Sequence, residues 1–143
     1  MPYATAADMT ARFGEEEMIH LTAAPGALDQ PADAARIGVA LSENSALIDT
    51  YLRRRYLVPL AAPIPAEIVR ATCILARFDL AHGEQKDPSE QMRLARKEVI
   101  AWLEQLATGD AQLDGVPLAG GVGGGARVSD RPRAFSDCAL RGW

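Results

Sequence analysis

Ala66-Glu67-Ile68-Val69-Arg70-Ala71-Thr72-Cys73-Ile74-Leu75-Ala76-Arg77-Phe78-Asp79-Leu80-Ala81-His82 is the stretch on which the fold turns. Ile68, Ala71, Leu75 and Phe78 form one apolar line at helical spacing, and Val69, Cys73, Ala76 and Leu80 form a second beside it. A helix apolar over that much of its surface belongs in the middle of a domain, so other helices must cover it. Pro65 suits its first turn, where a missing N–H is no loss. Its charges, Glu67, Arg70, Arg77 and Asp79, are expected to reach solvent or a neighbouring subunit.

The covering helices lie on either side. From about Asp33 to Arg55, Ile37, Leu41, Ile48 and Leu52 recur with the helical period, and Ser45 fills the same face midway. The polar block Ser42-Glu43-Asn44-Ser45 reads as a solvated stretch with a close helix crossing at Ser45, or alternatively as a subunit contact. From about Pro88 to Thr108, Met92, Ala95, Val99, Trp102 and Leu106 keep a helical rhythm, with Asp87 or Ser89 to cap the start and Gly109 to stop the end. Upstream, Thr5 with Asp8 has the form of an N-cap, Gly14 ends that short helix, and Glu15 to Leu21 gives one or two further turns. The expectation is all-α: a small bundle of three long helices plus one or two short N-terminal ones, occupying residues 1–108. Residues 109–143 are expected to form an extended, glycine-rich tail.

Bulk properties agree with one core and a tail. A chain of 143 residues is long enough for one domain and short for two. It is 48% hydrophobic but only 6% aromatic, with alanine supplying much of the apolar count, which suits closely packed helices. The net charge of −4 argues against a general nucleic-acid binder while leaving room for a local basic patch. Cys73 and Cys138 imply no disulfide framework. With no basic-then-apolar leader and no run of about 18 apolar residues, the expectation is a protein made in the cytosol that does not span a membrane.

The chemistry of the side chains is sparse. His20 and His82 stand apart from any cysteine or carboxylate cluster at ligand spacing, so no metal is expected. Glu15, Glu16 and Glu17 sit where acids complement a helix start. Gly121, Gly123 and Ala126 fit a loose phosphate-loop pattern, but no buried strand precedes them and no helix follows, so they read as linker. No nucleophile, base and stabilising group converge, and neither an enzyme nor a cofactor is expected.

Two segments invite partners instead. The tail passes from Leu118-Ala119-Gly120-Gly121-Val122-Gly123-Gly124-Gly125 into Arg131-Pro132-Arg133-Ala134-Phe135 and ends Leu140-Arg141-Gly142-Trp143. Large apolar side chains beyond a flexible spacer call for a covering surface on another molecule. Within the body, Arg53-Arg54-Arg55-Tyr56 ends a helix whose negative pole it complements, and it is also a candidate contact for DNA phosphate, a neighbouring subunit or an acidic protein. A small DNA-binding regulator using Arg53, Arg54 and Arg55 is therefore the alternative reading. A helix-turn-helix reader is disfavoured because the following helix is too apolar to lie in a groove.

Three groups of residues, in this order, carry a family likeness. They are Tyr3-Ala4-Thr5 with Asp8-Met9, Arg12-Phe13-Gly14-Glu15 and Ile19-His20-Leu21-Thr22; Ile48-Asp49-Thr50-Tyr51-Leu52 with Arg55-Tyr56 and Pro59-Leu60; and Phe135-Ser136 with Leu140-Arg141-Gly142-Trp143. Together the chain resembles the head-tail connector (adaptor) proteins of Mu-like tailed phages, and the adaptors of gene-transfer-agent particles are similar. The resemblance implies a virion neck protein with a small helical body, forming a ring of about twelve copies beneath the portal. It further implies a C-terminal segment that grips the portal, through Phe135, Leu140 and Trp143 as anchors and Arg131, Arg133 and Arg141 as polar partners. The ring would carry a stopper or tail-terminator protein and let genomic DNA pass. The Gly120 to Gly125 run, the nearby Val116-Pro117-Leu118 and Cys138 depart from the family pattern.

Overall fold

The computed structural model describes residues 1–82 and 86–120. Among these residues five helices follow one another: α1 (Ala6–Phe13), α2 (Glu15–Thr22), α3 (Ala34–Leu52), α4 (Ala66–Ala81) and α5 (Glu90–Thr108). The architecture is all-α, as the apolar periodicities predict. Local chemistry sets the ends. Thr5 and Asp8 form a reciprocal capping box on α1, Asp33 accepts the N–H groups of Ala35 and Arg36 at the start of α3, and Ser89 accepts that of Met92 at the start of α5. Gly14 turns the chain between α1 and α2 at φ +91°, a conformation that costs glycine little.

Two hydrophobic clusters lie along the central pair of helices. The first joins Ile48 and Leu52 of α3, Ile68, Ala71 and Leu75 of α4, and Val99, Leu103 and Leu106 of α5. The second joins Ile37 and Leu41 of α3 with Cys73, Ala76 and Leu80 of α4, and is closed by Met9, Met18 and Leu21 of the two short helices. α4 serves both, which is why its apolar surface is so wide. Arg77 stays with the body: its guanidinium pairs with Glu17 at 2.5 Å and lies 4.6 Å from the Phe13 ring centre, clasping α1 and α2 to α4. Glu67, Arg70 and Asp79 are exposed as expected.

Three features differ from the sequence reading or go beyond it. On α5 the centre of the buried stripe is Leu103, fully buried between Val99 and Leu106, while Met92, Ala95 and Trp102 sit half-exposed on its flank. In the polar block of α3, Ser42 and Glu43 are exposed but Asn44 and Ser45 are buried. Asn44 donates to Asp79 at 2.6 Å, and Ser45 accepts the N–H of Tyr3 at 2.8 Å, so the crossing at Ser45 is made with the N-terminal segment. Finally, the packed body does not stop at 108. Leu113 is buried in the first cluster with Ala111 and Val116 against it, and Leu118 pairs with Tyr56 in an isolated antiparallel bridge. The boundary expected after Thr108 therefore falls inside the body, because Leu113 and Val116 bury apolar surface that the sequence reading assigned to the tail.

Candidate functional site

The basic turn is built where α3 ends. Arg53 caps the helix with its N–H on the Asp49 carbonyl at 2.9 Å, and Arg53 and Arg54 are both exposed. Arg55 turns inward. Its guanidinium lies over Gly109 at the end of α5, so close that a β-carbon there would stand 2.4 Å from Nη1. Nη1 is buried and, among the described residues, has no hydrogen-bond partner. The C-terminal pole of α5 supplies it with a favourable field.

Tyr56 corrects one expectation. It is 1% exposed, and its hydroxyl accepts the N–H of Leu113 at 2.9 Å, so its side chain is a core group and not a subunit or DNA contact. The sequence marked it because of its basic neighbours. The partner that pulls it inward lies 57 residues away, where no local pattern signals it.

The returning segment is fastened at this same turn. Leu57 N–H donates to Pro117 at 3.3 Å and Ala119 N–H donates to the Arg55 carbonyl at 2.7 Å. The tail is thus delivered from a fixed root beside Arg53 and Arg54. Leu57 and Leu118, 57% and 47% exposed, add an apolar patch to that corner. The tail candidates Arg131, Arg133, Phe135, Leu140, Arg141 and Trp143 lie outside the described residues, as do Cys138 and the glycine run from 121 onward.

Two further surfaces escaped the sequence reading. Arg93, Arg96 and Lys97 share one face of α5, with Arg96 stacked 4.9 Å from the Phe78 ring centre and Phe78 stacked in turn on His82 at 6.0 Å. Their three- and four-residue spacing is the signal that marks this face in the sequence. On the other side of α5, Trp102, Ile74 and Ala71 floor a groove rimmed by Glu67, Arg70 and Glu98. Among the described residues, no cluster of histidine, cysteine and carboxylates is placed to hold a metal, and no helix is long and apolar enough to cross a membrane.

Comparison with known proteins adds the family. The family model described as "Bacteriophage Mu, Gp36" matches residues 3–119. The chain is 36% identical over 109 residues to "Gene product J" of Escherichia phage Mu, covering 76% of this chain and 74% of that protein. It is also 36% identical over 84 residues to "Mu-like prophage FluMu protein gp36" of Haemophilus influenzae, covering 59% of this chain and 57% of that one. The match to the family model ends at Ala119, the residue whose N–H closes the body onto Arg55. With its whole packed body matched, the chain belongs to the bacteriophage Mu Gp36 family.

Proposed function

We propose that this phage protein is a head-tail connector: a structural subunit of a ring beneath the portal, in the neck of the virion, made in the cytoplasm of the bacterial host. It catalyses nothing and needs no cofactor. The observation that carries the reading is family membership across residues 3–119, joined to the resemblance of the chain's motifs to those of Mu-like connector proteins. The geometry supports it through the fixed root of the tail, which lets one body present Arg131, Arg133, Phe135, Leu140, Arg141 and Trp143 to a portal without loosening its own core. A segment that orders on its partner gives up entropy but can wrap a large surface. Neighbouring copies, a stopper or tail-terminator protein and the passing genomic DNA complete the set of partners.

The alternative, a DNA-binding regulator working through Arg53 to Tyr56, is weakened because Arg55 and Tyr56 face inward. The deciding experiment removes residues 131–143. The shortened protein should keep its helical circular dichroism and melting temperature, lose association with the portal, and leave filled heads without tails. Normal joining of heads to tails by the shortened protein would refute the assignment of the grip to the tail.

A further inference from the structure

The cationic face of α5 has no part in the tail or in the basic turn. Arg93 and Lys97 are exposed, one helical turn apart, which places them about 6 Å from each other along the axis. Arg96, between them, is half-buried and held over the Phe78 ring. That contact reduces the freedom the guanidinium would lose on binding a ligand. Two acids stand close: Asp87, 3.8 Å from Arg93 and itself largely exposed, and Glu104 at the far end of the groove. Among the described residues, Arg96 and Lys97 enter no ion pair.

We propose that this face, Arg93, Arg96 and Lys97 backed by Phe78, contacts the sugar-phosphate backbone of duplex DNA. Duplex DNA presents one negative charge per roughly 1.7 Å of its axis, so cations about 6 Å apart meet phosphates without any particular register. Phosphate contact needs donors and positive charge; protein docking needs a buried apolar anchor as well. Phe78 and Ile100 also line this groove, but both are half-buried and Phe78 lies under the Arg96 guanidinium, whereas the Arg53–Arg54 corner has the exposed Leu57 and Leu118 beside it. The two basic surfaces therefore differ in kind: the corner suits protein, and the α5 face suits a polyanion.

Three cations amid a net charge of −4 make a weak, salt-sensitive contact without sequence preference. A surface past which DNA must slide requires such weakness. The inference relies on the connector reading only to say where the DNA comes from.

The test is fluorescence anisotropy of a labelled duplex of arbitrary sequence, titrated with the full chain over a salt series. The unaltered protein should show a log-log salt slope of about −2 to −3, near 0.9 per phosphate neutralised. Arg93→Gln, Arg96→Gln and Lys97→Gln together should lower affinity at the lowest salt by about tenfold or more and flatten the slope. Arg96→Lys, which keeps the charge, should retain most of the binding, and the pair Arg53→Gln and Arg54→Gln should stay within about twofold of the parent. Circular dichroism checks that each variant is folded. Undiminished binding by the triple variant, loss that follows Arg53 and Arg54 instead, no binding even at low salt, or equal affinity for polyglutamate would each overturn the proposal. Portal association is read separately by the tail truncation, so either result can fail alone.

Discussion

At the scale of single residues, Tyr3 shows how the N-terminal segment is tied to the bundle. It is buried; its hydroxyl donates to the Asp49 carboxylate and accepts the Leu60 N–H at 3.0 Å, while its own N–H reaches Ser45. Burial, and then the hydrogen bond to Asp49, push its pKa up to about 12 from an ordinary value of 10.0. The native state thus favours the neutral phenol. The stabilisation is complete below pH 10 and disappears as the pH rises through about 12. Tyr3→Phe should cost about 2 kcal/mol at neutral pH by leaving the Leu60 N–H and Asp49 without their partner. In urea titrations the gap between parent and variant should then shrink in strong alkali; a gap independent of pH would show that the hydroxyl is not the source. Gly109 gives a second case, since its φ of +98° strains any side chain and Arg55 blocks the β-carbon position. Gly109→Ala should destabilise by about 1–3 kcal/mol. Adding Arg55→Ala should relieve the clash and leave the backbone penalty, which a double-mutant cycle measures as coupling. Thr5 and Ser89 were legible in the sequence because a cap is a local pattern, whereas the partners of Tyr3 lie 42 to 57 residues away.

At the scale of elements, α4 could be read with its bounds almost complete because both its faces are buried and its apolar count exceeds what any loop would carry. α5 was harder. Its apolar residues are spread over a wide arc, and Ala95 and Trp102 offered a regular line one position away from the residues that meet α3 and α4. Packing chose the line through Val99, Leu103 and Leu106, leaving Trp102 to line the groove with Ile74. Leu103→Ala should therefore cost about 2–5 kcal/mol, the range for a fully buried leucine that leaves a cavity. Ala95→Ser, on the half-exposed flank, should stay within about 0.5 kcal/mol of the parent. Equal effects in thermal melts would return the centre of the stripe to the sequence-derived line. The cations Arg93, Arg96 and Lys97 lie on yet another side of the same helix, so one element serves the core, a groove and a charged face.

At the scale of the whole molecule, the informative boundary is where the body ends and the tail begins. Composition placed it at Gly109, since glycine becomes frequent there and regular periodicity stops. What composition does not convey is that a single leucine in an irregular segment can be a core residue. Leu113 fills the first cluster, its N–H satisfies Tyr56, and the chain closes at Ala119 onto Arg55. Two truncations separate the alternatives. A chain ending after Gly120 keeps every one of these contacts and should melt within a few degrees of the full protein. A chain ending after Thr108 loses the buried Leu113, the packing of Val116 and the partner of a buried hydroxyl, and should be less stable by about 3–5 kcal/mol. Urea denaturation of both gives the difference directly. Similar midpoints would mean that residues 109–119 are carried by the body without supporting it, and that the tail is free to move from the end of α5; the predicted gap instead requires any pull on the tail to act first on the turn between α3 and α4.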